Sequence, residues 1–305
     1  MIDASSAMPQ SRSFALTGAR GVRLTGREWP VPAPAARVVL VHGYGEHLGR
    51  YAHVIAGLNA AGFAVAGIDN RGHGQSEGRR ADVVAFDDFV EDVQALVLHD
   101  EATAPGIPRV MLGHSMGGLI ATRYALRHGE HLGGLVLSGA ALRFGGSTPA
   151  YVLRLAPVIA RLAPMLPVVA SGGPGILSRD PEIDRLFGLD PLTYKGNLRA
   201  RMGMQMRLAA ADAVGRLGDL GLPLLVMHGA DDKLTEPAGS RLVEERAAST
   251  DKTLTLWPGL RHEIFNEPER DAVIAHVVAW LRARFPASPL AGGMVAAVTD
   301  KTSMA

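Results

Sequence analysis

Short apolar runs alternate along this chain with longer stretches in which apolar residues recur every three or four positions. Val38-Val39-Leu40-Val41, Phe63-Ala64-Val65-Ala66-Gly67-Ile68, Leu135-Val136-Leu137 and Leu224-Leu225-Val226-Met227 are too short for buried helices and predict strands, as does Thr253-Leu254-Thr255-Leu256. The spacing predicts helices over residues 50–61 and over 85–102, where Phe86, Phe89, Val93, Leu96 and Val97 share one face. A last helix carries Val273, Val277, Trp280 and Leu281 on one side. Strands that alternate with amphipathic helices imply an α/β fold, a mostly parallel sheet covered by helices on both faces. Ligands of such sheets bind beyond the carboxyl ends of the strands.

Residues 143–210 break this rhythm with Pro149, Pro157, Pro164, Pro167, Pro174, Pro181 and Pro191 set between helix-like apolar stretches. They predict a helical insertion, either extra core and surface helices or a cap. It leaves from the carboxyl end of the strand at 135–137, the face where a ligand belongs, and this favours the cap. The expected division is a core of 13–142 and 211–286, a cap of 143–210, and flexible termini at 1–12 and 287–305.

Composition narrows the class. A length of 305 residues and 47% hydrophobic content suit one large α/β domain. Lys plus Arg number 31 and Asp plus Glu 30, so no global charge recruits nucleic acid. The absence of cysteine excludes disulfides, thiolate metal sites and a cysteine nucleophile. No apolar segment follows a basic start in the first 30 residues and no run of about 18 apolar residues occurs, so a cytoplasmic location is expected.

The chemistry centres on Gly113-His114-Ser115-Met116-Gly117, a G-x-S-x-G motif with a strand (Val110-Met111-Leu112) before it and a helical pattern after it. That context separates it from a serine in an ordinary glycine-rich turn. A strained strand-to-helix turn lifts the serine oxygen above the sheet, and the helix start aims free N–H groups at the same spot. A serine hydroxyl needs a base to become a nucleophile, and the base needs a carboxylate to hold its tautomer. With the order serine, acid, histidine expected here, the candidates downstream are His131, His228, His262 and His276. His131 lies too close, His228 ends a strand and His276 sits within the last helix. His262 occupies the loop between the strand at 253–257 and that helix, where the base belongs. In His228-Gly229-Ala230-Asp231-Asp232 the spacing from Gly229 selects Asp232 as the acid. The oxyanion donors expected are the backbone N–H groups of Met116 and of Tyr44, in the glycine-flanked loop after the strand at 38–41. A metal site from His42, Glu46 and His47 is the alternative for that loop; no further ligand cluster supports it, so neither metal nor organic cofactor is expected.

These residues resemble the serine hydrolases of the α/β-hydrolase superfamily, and within it the monoacylglycerol lipase and lysophospholipase-like group. The resemblance runs from about residue 20 to 285 and is carried by His42 to Tyr51, by Asp69-Asn70-Arg71-Gly72-His73-Gly74-Gln75-Ser76-Glu77-Gly78 and by the elbow. Leu177-Ser178-Arg179 and Asp190-Pro191-Leu192 in the insertion match as well. The resemblance implies the same triad and oxyanion donors, and an apolar tunnel under a mobile cap. It places Glu46 and Arg50 near the glycerol end, with a structural ion pair as the alternative, and adds Phe187 and Phe265 as substrate contacts. Phe265 stands where some relatives carry a second histidine. The expected substrate is a single-chain lipid ester, above all monoacylglycerol, with a lysophospholipid or a short-chain ester as the near alternative and a non-catalytic binding module as the distant one. The apolar run of the cap, with Arg154 and Arg161, marks a candidate peripheral contact with a micelle or bilayer. Oligomeric state is left open.

Overall fold

The computed structural model describes residues 10–145, 150–169 and 175–286. Of the arm expected over 1–12, only the last three positions fall among them, and Arg12 already opens a strand; the expected tail at 287–305 lies outside them. The chain runs through β1 (Arg12–Thr17), β2 (Arg23–Trp29), β3 (Arg37–Val41), helix α1 (Ala52–Ala60), β4 (Ala64–Ile68), α2 (Asp87–Thr103), β5 (Arg109–His114), α3 (Met116–His128) and β6 (Gly134–Ser138). The insertion then supplies α4 (Ala150–Leu162), β7 (Pro167–Val169), α5 (Pro181–Leu189), β8 (Leu198–Arg199) and α6 (Ala200–Gly215). Strands β9 (Leu224–Gly229) and β10 (Lys252–Trp257), with helices α7 (Pro237–Arg246) and α8 (Arg270–Arg284), complete the chain.

The main sheet has the order β1-β2-β4-β3-β5-β6-β9-β10. From β4 to β10 every neighbour is parallel, and β1 and β2 add an antiparallel hairpin to one edge. The chain passes from β3 outward to β4 and returns to β5 on the other side of β3. The carboxyl ends of β3 and β5 therefore flank the crevice in which sheets of this kind bind ligands. Alternation along β3 sends Val39 and Val41 into one core cluster and Val38 and Leu40 into another. The first cluster packs Phe86, Phe89, Val93, Leu96 and Val97 of α2 and its N-terminal approach, with Leu119, Ile120 and Tyr124 of α3. The second packs Val54, Ile55 and Leu58 of α1 with Val273, Val277, Trp280 and Leu281 of α8.

Three elements differ from the pattern read in the sequence. The β1–β2 hairpin was not anticipated, because an edge strand with the exposure of Arg12–Thr17 needs no unbroken apolar run. Helix α7 was also missed; Gly239, Ser240 and Val243 are its buried residues, too little apolar signal to register. The division at 210/211 falls inside α6, whose Met202, Met206, Ala209, Ala210 and Ala213 join the first core cluster.

Buried charge fixes the amino ends of the two central strands. Arg37 and Arg109 stand opposite each other in the β3–β5 register. Their Nε atoms donate at 2.6 and 2.7 Å to the two carboxylate oxygens of Asp100, near the end of α2. Asp100 is 1% exposed and both arginines 6%. One carboxylate thus holds apart two guanidiniums that would otherwise repel, and it ties α2 to the sheet. Asp100→Ala should destabilise the protein by about 3–5 kcal/mol in urea unfolding, because it leaves buried Arg109 without its carboxylate and Arg37 with only Glu28, at 3.2 Å. A loss under about 1 kcal/mol would mean that water replaces the carboxylate.

Candidate active site

Ser115 sits between β5 and α3 with φ 55° and ψ −118°, backbone that a residue with a side chain rarely adopts. Two close approaches explain why glycine stands on either side. A Cβ on Gly117 would lie 2.1 Å from the carbonyl oxygen of Val41 and 2.5 Å from that of His42. A Cβ on Gly113 would lie 2.4 Å from the oxygen of Gly117. The strained peptide is pinned on both sides, with Ser115 N–H donating to Ser138 O at 2.9 Å and Ser115 O accepting from Leu119 and Ala141.

His262 and Asp232 arrive from loops after β10 and β9. The Ser115 hydroxyl lies 2.8 Å from His262 Nε2, and His262 Nδ1 lies 2.7 Å from Asp232 Oδ2. An ionised carboxylate only accepts, so Nδ1 carries the proton and Nε2 is free to accept from the serine. Asp232 also accepts from Thr235 Oγ1 at 2.8 Å and from the N–H groups of Leu234 and Thr235 at 2.8 and 3.0 Å. Burial raises its pKa, but the His262 charge and the bonds from His228 and His262 reverse this and hold it far below the ordinary carboxylate range. Asp231 is exposed, and its N–H donates to Leu260 O. His131 instead pairs with Glu101 at 2.9 Å, and His276 bonds Thr255 at 3.0 Å.

The loop after β3 lies against the serine: a Cβ on Gly43 would sit 3.2 Å from Ser115 Cβ. Neither the Tyr44 nor the Met116 backbone N–H has an acceptor among the described residues. Glu46 shapes this loop, accepting from Gly43 N–H at 2.5 Å and from Tyr51 Oη at 2.6 Å. Its other oxygen pairs with Arg50 at 2.8 Å, and Arg50 forms a two-pronged pair with Glu263 at 2.7 and 2.8 Å. Of the two readings of Glu46 and Arg50, the ion pair is what the structure shows, with both carboxylates buried and the Arg50 side chain 11% exposed. His42 turns to Gly43 O and Asn70 N–H, while His47 pairs with Asp190 at 2.8 Å.

Phe187, on α5, lies under the Arg50 guanidinium, 5.1 Å from ring centroid to Cζ, and close to Gly45. Phe265 is 3% exposed and packs in the core cluster beneath α1 and α8. As a contact for substrate it is corrected here to a core residue, because the short helical turn Ile264–Asn266 directs both Ile264 and Phe265 inward.

Sequence reasoning passed over several residues of the site. His228 donates from Nε2 to Asp232 Oδ2 at 3.0 Å and takes a bond from Ser240 at 2.7 Å, so the Asp232 carboxylate serves two histidines. His114 lies against His262 with the rings tilted by 51° and their centroids 4.9 Å apart, and burial followed by the neighbouring His262 pushes its pKa down to about 4. Position beside the nucleophile was the available signal for His114. No signal pairs Glu263 with Arg50 across 213 residues.

A switch-point serine on a sharp elbow, bonded to a histidine that is bonded to a buried aspartate, defines an α/β-hydrolase of the serine type. The chain belongs to the family whose model is described as serine aminopeptidase, S33, which matches residues 32–269. It is 40% identical to the monoacylglycerol lipase of Mycolicibacterium smegmatis, over 88% of this chain and 95% of that protein. It is 34% identical to the human monoglyceride lipase over 88% and 90%. The crystal structure of Paleococcus ferrophilus monoacylglycerol lipase superposes with a TM-score of 0.78, at 32% identity, covering 86% of this chain and 99% of that one.

Burial alone lowers the pKa of His262, but the Asp232 carboxylate outweighs it and holds the pKa above the ordinary 6.5. His262 should therefore keep a proton on both nitrogens to a higher pH than a free imidazole and become neutral only above it. With Asp232→Asn the largest raising influence is gone and burial is opposed only by the charges of Glu263 and Glu46, so the titration followed by NMR should move down from its wild-type position. An unchanged titration would show that Asp232 is not the controlling charge.

Proposed function

We propose that this protein cleaves single-chain lipid esters, monoacylglycerol above all, through an acyl-enzyme on Ser115. The observation that carries the reading is the line of hydrogen bonds from Ser115 Oγ through His262 to Asp232, 2.8 and 2.7 Å long. As Ser115 attacks the ester carbonyl, His262 Nε2 takes its proton and Asp232 steadies the imidazolium. The developing oxyanion is met by the N–H groups of Tyr44 and Met116, which have no competing acceptor among the described residues. His262 then protonates the leaving glycerol oxygen. Water, deprotonated by the same histidine, attacks the acyl-serine and releases the fatty acid. No metal or organic cofactor enters any step. The choice of glycerol ester follows the names of lipases to which the chain is similar. A peptidase of the type in the family's description needs a free carboxylate for the substrate's amino group. Glu46 and Glu263, which flank the site, are both engaged by Arg50, so neither stands free.

Ser115→Ala should leave the fold intact and lower monoacylglycerol hydrolysis by about 10⁴-fold or more. Wild-type turnover in the pure, folded variant would remove the serine from the mechanism. Profiling the wild type on monoglyceride, lysophospholipid and acetate esters ranks the substrates within the same chemistry.

The proposal extends to the cap as a lipid contact. Leu155, Val158 and Leu162 share one face of α4 and are 52%, 53% and 78% exposed, and Leu166, Val168 and Val169 continue the apolar surface. Arg154 and Arg161 are exposed on the same helix, where cations meet a headgroup layer. No helix among the described residues is long and apolar enough to cross a membrane, so the contact is peripheral. Leu162→Ser with Leu166→Ser should weaken co-sedimentation with phospholipid vesicles several-fold. Absence of vesicle binding by the wild type would sink the idea.

A further inference from the structure

Two segments of the insertion, Leu177-Ser178-Arg179 and Asp190-Pro191-Leu192, have no part in the chemistry, yet both are bonded to the loops that carry it. The second meets the oxyanion side: Asp190 holds His47, and Tyr194 N–H donates to Gly45 O at 2.8 Å. The first meets the histidine side, and there the contacts converge on Glu267.

Glu267 is fully buried, three residues before α8. Its Oε1 accepts from the backbone N–H of Arg261 at 2.6 Å. Its Oε2 accepts from the N–H and Nε of Arg179 at 3.0 and 3.1 Å and from Ser178 Oγ at 3.3 Å. On the other side of His262, Glu263 N–H donates to Leu177 O at 2.8 Å. The Arg261 side chain returns to the insertion, donating to Ser178 O at 3.1 Å and to Gly175 O. The backbone N–H groups of both neighbours of His262, Arg261 and Glu263, are thus held by this strap, one through Glu267 and one directly. Where a histidine must keep one nitrogen on a serine and the other on a carboxylate, a displacement of about 1 Å can cost about 100-fold in rate.

We infer that Glu267 is a positioning residue that, with Leu177-Ser178-Arg179, clamps the His262 loop to the insertion, so that the rear of the cap is part of the catalytic frame and not of a moving lid. The inference rests on His262 acting as the base.

The test compares Glu267→Ala, Glu267→Gln and Arg179→Met with the wild type, using a long-chain monoglyceride and a soluble acetate ester. Thermal unfolding of each variant is recorded alongside. Glu267→Ala should lower kcat by about 10- to 100-fold on both esters with KM within about twofold, since the defect lies in the histidine's position. Glu267→Gln should recover most of that loss, because its amide oxygen still accepts from Arg261 N–H. Arg179→Met, whose partly exposed side chain holds the carboxylate from the cap side, should lose several-fold in kcat on both esters. Arg185→Gln, which breaks an exposed pair on α5, should leave both rates unchanged. A loss confined to KM for the long ester, or unchanged kcat in Glu267→Gln and Arg179→Met alongside a wild-type-like Glu267→Ala, would overturn the clamp. Should Glu267→Ala fail to fold, kcat of Arg179→Met decides: wild-type kcat refutes the clamp and a loss on both esters supports it. Ser115→Ala and His262→Ala are run in parallel. If they retain activity, it is the assignment of the base that fails; if they are inactive, the failure belongs to the clamp alone.

Discussion

The turn at Ser115 can exist only because the start of α3 crosses the end of β3 at a distance no Cβ could tolerate. Gly117 meets the carbonyl oxygens of Val41 and His42 there, and Gly113 meets Gly117. That crossing sets the serine in left-handed backbone and places its N–H on Ser138 and its carbonyl under Leu119 and Ala141. Strain of this kind costs about 1–3 kcal/mol and persists only where the surroundings over-determine it. Here they do: three parallel strands buried on both faces hold the elbow, and the loop after β3, which presents Tyr44 N–H, is braced by the same contact. Ser115 and the N–H groups of Tyr44 and Met116, proposed above as nucleophile and oxyanion donors, are therefore one structural unit.

The histidine is a separate unit, brought in from the far end of the chain, and charge joins it to the first. Glu263 beside His262, Arg50, and Glu46 beside the oxyanion loop form a buried chain that ends on Gly43 N–H. Buried ion pairs add little net stability once desolvation is counted, but they are costly to break. A chain of them is suited to fixing a distance between two loops. Asp232 follows the same logic on the other flank. Its side chain is fully buried and accepts from two histidines, a hydroxyl and two backbone N–H groups. Burial would keep such a carboxyl neutral; these donors keep it ionised.

The insertion presents two unlike faces. Towards the loops that carry Tyr44 and His262 it is polar and specific: Arg179, Ser178, Asp190 and Tyr194 bond to named groups there. Away from the core, α4 and the β7 ribbon expose leucine and valine with little to satisfy them in water. One face suits a fixed frame and the other suits a lipid surface.

Local chemistry was legible in the sequence. G-x-S-x-G with a strand before it and a helix after it, the unbroken apolar strands and the two-sided helices are each dictated by backbone geometry and burial over a few residues. The sequence put Asp232 forward over Asp231 by its spacing from Gly229, and the turn after β9 buries Asp232 while it leaves Asp231 exposed. The edge hairpin was illegible because half its residues face water. The fate of Phe265 was hidden because an apolar residue beside a catalytic loop looks the same whether it lines a tunnel or fills a core. The pairing of Arg50 with Glu263, the second histidine on Asp232 and the bonds from the insertion to Glu267 belong to tertiary structure alone. They join residues up to 213 positions apart, and nothing in the local pattern of a charged side chain says which distant partner will neutralise it.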